Sequence, residues 1–175
     1  GQETEFSYVA LAAVEIVGSM LFLAHNISDL DIKEALFVGF SGIGSKLVYQ
    51  TSYFGNSIND RAVPHIIDYL FDQSTDLYGH RELIGNDENA FDSLGYEIPC
   101  GTIMRWPFPE YHTDLDTIDI TSREKIEEVI SVLLELVNVH EKNVCFTGKF
   151  SGLPCLSSPM VDAYLDMNLI SGLKL

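Results

Sequence analysis

The sequence predicts an α/β fold with three αβα layers and a mixed, mainly parallel sheet. The prediction rests on short apolar runs that alternate with helix-like segments, beginning with a strand, a helix and a strand over residues 6–42. A parallel unit of this kind needs helices over both faces of its sheet. The chain has 175 residues, 46% of them hydrophobic, which suffices for one core of ordinary size. We therefore predict a single domain over residues 1–175.

The amino-terminal elements come from runs rich in β-branched and aromatic residues. A buried strand is predicted over Phe6–Val14 and ends just before Glu15, and a helix is predicted over Ser19–Ile27. Two further strands are predicted over Glu34–Gly42 and Lys46–Tyr53. This order predicts that Glu15 lies where a buried strand opens onto a helix.

Apolar residues at helical spacing predict the next helix over Ile58–Asp72, with Pro64 confined to its first turn or to a kink. Residues 73–95 are polar and glycine-rich, which predicts a long loop. Loops of this length inside compact domains are often functional. A short strand is predicted over residues 101–106, immediately before a histidine-containing segment.

The clearest predicted helix covers residues 123–141. Thr121 and Glu124 have the spacing of a capping box at its start. The helix is amphipathic, because apolar residues recur three and four positions apart. Its predicted buried face carries Ile126, Val129, Ile130, Leu133 and Val137.

The charge of the chain excludes two classes of partner. A formal charge of -16 repels phosphate backbones and anionic lipid headgroups, so we expect neither nucleic-acid nor membrane binding. No apolar run approaches the roughly 20 residues that a bilayer span needs. The three cysteines lack the CxxC spacing of thiolate zinc sites and are odd in number, which predicts a reducing, cytoplasmic setting.

Two short segments resemble ligand sites by composition. The segment PEYHTDLDTIDI places His112 beside Asp114 and Asp116 after a predicted strand. Histidine binds zinc through one ring nitrogen while a carboxylate holds the other, but a solvated acidic loop explains the same spacing. The segment GFSGIGS follows a strand as phosphate loops do, yet it lacks the P-loop lysine and is interpreted as a turn.

Glu15 has two interpretations as well. A carboxylate at the end of a buried strand needs a partner or a metal ion. It can equally interact with the amino terminus of the helix that follows. The residues alone leave both possibilities open.

Four segments carry a resemblance to known proteins: VEIVGSMLFL, GNSINDRAVPHII, GNDENAFDSLGYEIPCGTIMR and PEYHTDLDTIDI. The last of them resembles a segment of the zinc aminopeptidases of peptidase family M twenty-eight. More specifically, all four, in the same order, are similar to an aminopeptidase-like family often encoded among polysaccharide-biosynthesis genes. The tail SGLPCLSSPMVDAYLDMN is weakly similar to the ending of that family.

The resemblance implies a zinc-dependent site for hydrolysis of a small peptide or amide. His112 and Glu15 match zinc ligands of the family, and Glu15 also matches the neighbouring base. Asp87 matches an acidic residue that shapes the site near the substrate and is expected to assist catalysis. Asp116 is expected to hold His112. In such sites two zinc ions about 3.5–4 Å apart activate a water molecule and polarise the scissile carbonyl.

The resemblance also implies substrate contacts. Arg105 and Glu88 are expected to bind substrate, Arg105 by pairing with a substrate carboxylate or with Asp87 or Glu88. The family carries a further segment, CHPSxANDNLSG, that supplies a histidine and a bridging aspartate before the Glu-bearing strand. No counterpart precedes Glu15 in this sequence, and Phe40 or Ser41 stands where relatives have another acid.

These departures leave three hypotheses. The chain is the carboxy-terminal portion of a zinc aminopeptidase-like hydrolase, incomplete or inactive alone, with its remaining ligands elsewhere. Alternatively, it keeps the fold as a non-catalytic binding or interaction module, or it is an unrelated α/β domain that shares the motifs. An incomplete parallel sheet exposes apolar edges, so we expect a homo-oligomer or a missing amino-terminal portion that covers them.

Overall fold

Four strands form one mixed sheet in the computed structural model, which describes residues 4–143. The strands are β1 (Ala35–Gly39), β2 (Lys46–Gln50), β3 (Asp76–Tyr78) and β4 (Cys100–Trp106). Their order across the sheet is β1, β4, β2, β3. β1 is parallel to β4 and β2 is parallel to β3, whereas β2 and β4 are antiparallel. The predicted mixed, mainly parallel sheet is confirmed.

Helices flank this sheet. They are α1 (Val17–Asn26), α2 (Ile58–Phe71), α3 (Glu88–Phe91) and α4 (Arg123–Lys142), with a 3-10 turn over Ile118–Ile120. α2 and α4 pack against each other, and α1 packs against α3. The two pairs cover opposite faces, because neighbouring residues of β1 contact different clusters. The predicted αβα layering is therefore confirmed.

Two clusters of buried side chains separate the layers. The first core lies between the sheet and the α2–α4 pair, and Leu36 of β1 packs against it. The second core lies on the α1–α3 side, and Ala35 packs against it. The first core consists of Leu47, Tyr49, Val63, Ile66, Ile67, Ile103, Val129, Val132 and Leu136, and the second of Leu23, Ala90 and Ile98.

The helix α2 begins with a complete capping box and continues through a proline. The Ser57 side chain accepts a hydrogen bond from the Asp60 amide, and the Asp60 carboxylate accepts one from the Ser57 amide. Pro64 lies in the helix interior rather than in the first turn, which was one of its two predicted placements; the other, a kink, stays a prediction. The helix persists there because Val63 and Ile67 on either side are fully buried in the first core.

The predicted strand over Phe6–Val14 is wrong. Residues 4–14 form no strand, and their side chains are exposed. The segment is held instead at the end of α4, where Glu141 accepts hydrogen bonds from the Phe6 amide and the Tyr8 hydroxyl. An apolar run becomes a strand only where a neighbouring strand pairs with its backbone, and none does so among residues 4–143.

Three smaller predictions also change. Residues 73–95 contain β3 and α3 in addition to loops. α4 has Ser122 as its amino-terminal cap without a side-chain hydrogen bond, and the Thr121 hydroxyl donates to the Ile118 carbonyl, so the predicted capping box is wrong. The buried face of α4 is centred on Val132 rather than on Ile130. Within residues 4–143, no helix has both the length and the apolar character needed to cross a membrane.

Candidate functional site

Glu15 and Asp87 meet at the start of α1. The Glu15 carboxylate accepts a hydrogen bond from the side-chain amide of Asn86. Asp87 accepts one from the Ile16 amide at 3.1 Å and one from the Ser19 hydroxyl. The structure therefore brings two of the predicted catalytic residues to one place, although 72 positions separate them in sequence.

The backbone between Glu15 and α1 is strained. Ile16 has φ 57° and ψ -55°, a conformation that a β-branched residue rarely adopts. The hydrogen bond from the Ile16 amide to Asp87 helps hold it there. Glu15 itself is exposed, so the expectation that this carboxylate is buried at a strand end is wrong.

Asn86 is a part of the site that the sequence did not reveal. Its side-chain oxygen accepts from the Asp87 amide while its NH₂ group donates to Glu15, so one buried side chain links both acids. Its own backbone amide donates to Glu88 at 2.8 Å. An asparagine inside the polar segment GNDEN carries no signal that distinguishes it from a loop residue.

Glu88 is fully buried beneath this junction. One carboxylate oxygen accepts from the Asn86 amide, and the other has no hydrogen-bond partner among the described residues. Burial raises the pKa of Glu88 above its ordinary value of 4.5. A substrate contact by Glu88 stays a prediction. In the structure, the Glu88 carboxylate supports the loop that carries Asn86 and Asp87.

Arg105 lies on the other face of the sheet, facing α4. Its guanidinium donates to the Ser41 and Ser45 carbonyls at 2.9 and 2.8 Å and forms an ion pair with Glu128 at 2.6 Å. Arg105 therefore pairs with Glu128 rather than with Asp87 or Glu88, because its strand position points it toward the α2–α4 layer. Its contact with substrate stays a prediction.

His112 lies in the exposed loop after β4. Its ring stacks on Tyr111 with the centroids 3.8 Å apart, and its φ of 62° lies in the left-handed region. Asp116 is exposed in the same loop, and no hydrogen bond joins the two side chains within residues 4–143. The expectation that Asp116 holds His112 stays a prediction.

The carboxyl ends of β1 and β4 lie at one edge of the sheet, since these strands are parallel. Phe40 follows β1 there, and its ring lies 4.9 Å from Tyr111 and 5.0 Å from Phe108. Phe40 also has a positive φ of 46°. Phe40 thus packs on Tyr111, the residue on which His112 stacks, and it is one of two residues, with Ser41, that stand where the resemblance implies another acid.

The side chains present do not fit a zinc site by themselves. In the described part of the chain, no three His, Cys, Asp or Glu side chains cluster closely enough to hold a metal ion. Zinc sites in proteins need three or four protein ligands. Any zinc bound here would require ligands beyond residues 4–143.

The sequence pattern of the family described as "Domain of unknown function (DUF4910)" matches residues 1–143. The chain belongs to the DUF4910 family. A Clostridium acetobutylicum protein named for polysaccharide biosynthesis and for an aminopeptidase-like domain is 29% identical to it over 149 residues. That alignment covers 81% of this chain and 33% of the relative.

Solved structures similar to this DUF4910 chain are peptidases by name. A Clostridium acetobutylicum crystal structure named as a peptidase superposes with a TM-score of 0.66 and 25% identity over 74% of this chain and 31% of that chain. The Legionella pneumophila LapA aminopeptidase superposes with a TM-score of 0.58 and 14% identity over 74% of this chain and 36% of its own, which shows the fold alone. The chain spans about a third of the length of these relatives.

Proposed function

We propose that this DUF4910 chain contributes Glu15, Asp87 and His112 to an aminopeptidase-like site that hydrolyses small peptides or amides, and that residues 4–143 are inactive alone. The observation that carries the proposal is the position of Phe40. Its ring contacts Tyr111, which stacks on His112, so an aromatic group occupies the sheet edge where a metal-binding acid is expected.

Backbone strain supports a functional origin for these segments. Of the six non-glycine residues with positive φ angles in residues 4–143, three belong to these segments: Ile16, Phe40 and His112. They lie beside Glu15, at the end of β1 and in the predicted histidine ligand position. Such strain persists only where surrounding contacts enforce it, and it concentrates at functional sites.

The residues of this chain support part of a hydrolytic reaction. Glu15 is exposed, and the amide of Asn86 orients one of its oxygens, as a base that takes a proton from water requires. Asp87 accepts hydrogen bonds from the Ile16 amide and the Ser19 hydroxyl, and so fixes the backbone at the start of α1, next to Glu15. Because the described side chains do not fit zinc, no step is assigned to a metal ion, and the remaining groups must come from beyond residues 4–143.

The cluster of Phe40, Phe108 and Tyr111 supports a second candidate function, a binding module without catalysis. Their ring centroids lie 4.9 to 5.6 Å from one another at the sheet edge. Aromatic surfaces of this kind favour apolar or cationic groups of a ligand. In this function the chain binds a peptide without cleaving it.

A gain-of-ligand experiment tests the proposal. Phe40→Asp should raise zinc affinity at least tenfold in calorimetric titrations of the full chain, because it places a carboxylate next to Tyr111, on which His112 stacks, and aspartate tolerates a positive φ better than phenylalanine does. The gain should vanish in Phe40→Asp combined with His112→Ala. Phe54→Asp, which changes another partly exposed phenylalanine, is the matched control and should leave zinc binding unchanged.

The unmodified chain should show neither stoichiometric zinc nor aminopeptidase activity. Tight zinc binding together with aminopeptidase turnover by the parent chain would contradict the proposal that it is inactive alone. An unchanged zinc affinity in Phe40→Asp would contradict a latent metal site and would favour the binding module. A peptide bound by the parent chain without cleavage would support that module directly.

The proposal also includes a partner for the exposed amino-terminal segment. Val9 and Val14 are 67% and 75% exposed, and Val38 on the edge strand β1 is partly exposed. A second copy of the chain or a separate amino-terminal portion would cover them. Sedimentation analysis should show self-association if the partner is a second copy, whereas a monomer at all concentrations would favour the separate portion. The cytoplasmic setting stays a prediction.

A further inference from the structure

A cleft of about 370 Å³ opens on the α2–α4 side of the sheet, away from Glu15 and Asp87. It lies where β2 begins and β4 ends, because Lys46 and Trp106 are opposite each other in the antiparallel pair. Its volume is within the range of small-ligand sites. The residues that line it are Gly44, Ser45, Lys46, Leu47, Phe71, Gln73, Arg105, Lys125 and Glu128.

The charge of this cleft is opposite to that of the whole protein. Three basic side chains, Lys46, Arg105 and Lys125, line it against a single acid, Glu128. The chain has only 10 lysines and arginines against 26 acids. A cleft that concentrates positive charge in an acidic protein attracts small anions and focuses them at one place.

Arg105 makes the cleft rigid. Arg105 is 2% exposed. It donates hydrogen bonds to the backbone carbonyls of Ser41, Ser45 and Lys125, in addition to its ion pair with Glu128. These bonds join the loop after β1 to the first turns of α4. The backbone next to Lys46 and at Lys125 is therefore fixed before any ligand arrives, which lowers the entropic cost of binding.

The two lysines remain accessible at the rim. Their side chains are 39% exposed for Lys46 and 30% exposed for Lys125. Lys125 pairs with Glu128 at 2.6 Å, and Lys46 pairs with Asp76 at 3.2 Å. Burial alone would raise the pKa of Glu128, but hydrogen bonds from Lys125 and Arg105 lower it, so this acid stays charged beside them.

The loop before β2 allows a ligand to approach the backbone. Gly44 has no heavy atom within 4 Å of the place where a Cβ would lie, so its face is open. Leu47 and Phe71 supply the apolar part of the lining. The segment GFSGIGS, interpreted as a turn, thus ends at Ser45, immediately before Lys46, and two further cations come from β4 and α4.

We propose that this cleft binds a small molecule bearing an oxyanion, a phosphate or a carboxylate, between Lys46 and Lys125 with Arg105 beneath. Lysine ammonium and arginine guanidinium groups form strong, charge-assisted hydrogen bonds to such oxygens. Leu47 and Phe71 contact the apolar remainder of the molecule. The site is independent of the proposed hydrolytic function.

The test titrates the full chain with inorganic phosphate and, separately, with acetate, at constant ionic strength set by sodium chloride. Amide NMR signals of Gly44, Ser45 and Lys46 should shift and saturate with at least one anion. Preference for phosphate or for acetate identifies the oxyanion. Shifts that do not saturate with either anion, or no shifts at all, would overturn the proposal.

Variants make the result specific. Lys125→Met should weaken binding about tenfold, equivalent to about 1.4 kcal/mol. Glu128→Gln should tighten it, because the variant removes the competing negative charge and keeps an oxygen for Arg105. Lys33→Met removes an equal charge at an exposed pair with Asp31 and should change nothing. Equal affinity in Lys125→Met and Lys33→Met, or weaker binding in Glu128→Gln, would contradict the site.

Discussion

The two faces of the sheet differ in how fully residues 4–143 cover them. On the α2–α4 face, nine buried side chains form the first core, and a buried Asp60 joins α2 to the loop after β2. On the α1–α3 face, the second core has three fully buried members, and the segment leading into α1 is exposed. The predicted catalytic acids Glu15 and Asp87 belong to the second face. The face with the predicted catalytic acids is therefore the one that residues 4–143 cover less fully.

The largest effect should come from Asp60→Ala on the first face. Asp60 accepts hydrogen bonds from the Tyr49 hydroxyl, the Ser52 amide and hydroxyl, and the Ser57 amide. Each buried donor left without a partner costs about 1–3 kcal/mol, so the free energy of unfolding should fall by about 4 kcal/mol. Urea denaturation measures it, with the exposed Asp29→Ala as control. A loss below 1 kcal/mol would show that the first face does not depend on this acid.

Matched leucine substitutions compare the two cores directly. Leu47 is 2% exposed in the first core, and Leu23 is 0% exposed in the second. Leucine-to-alanine changes cost about 2–5 kcal/mol, more where the surroundings cannot collapse into the cavity. We expect a larger loss for Leu47→Ala than for Leu23→Ala, with both below about 4 kcal/mol, as measured by urea denaturation. A larger loss for Leu23→Ala would reverse the comparison between the faces.

The pH dependence should have opposite signs on the two faces. Burial alone would raise the pKa of Asp60, but hydrogen bonds from Ser52, Ser57 and Tyr49 lower it below 3.8. Its stabilisation is present above 3.8 and is lost as the pH falls through the lower folded-state value. Burial raises the pKa of Glu88, so the folded state binds that proton more tightly, and stability is lost as the pH rises from 4.5 through the folded-state value.

Glu88→Gln should therefore stabilise the protein at pH 7, and the gain should disappear below pH 4.5. The glutamine oxygen can still accept from the Asn86 amide. Thermal denaturation of parent and variant across this pH range measures the difference. A variant less stable than the parent at pH 7 would show that the charged carboxylate is favourable where it lies.

The smallest effect should come from Val14→Ser. Val14 is 75% exposed in the segment that the sequence predicted as a buried strand. Exposed substitutions of this kind stay within about 0.5 kcal/mol, so urea denaturation of the monomer should hardly change. A loss of 2 kcal/mol would mean that the segment is buried in solution, and would reduce the contrast between the faces. Val63→Ser, at a fully buried position, provides the positive control.

Local patterns predicted most of the regular elements. The strands β1, β2 and β4 and the helices α1, α2 and α4 lie within the predicted segments or within two residues of them, because apolar periodicity and capping residues act over a few positions. The closeness of Glu15 and Asp87 was implied by the family resemblance rather than by spacing. Asn86 was missed, since its role arises from a neighbour 71 positions away.

The sequence by itself determined the α/β class, most of the helix and strand positions, and the acidic charge that disfavours nucleic-acid partners. Tertiary structure decided the rest: the exposure of Phe6–Val14, the pairing of Arg105 with Glu128, and the contact of Phe40 with Tyr111. An apolar run records a tendency to be buried, but not which surface buries it. The partner of a charged side chain depends on elements that are distant in sequence, so only their packing selects it.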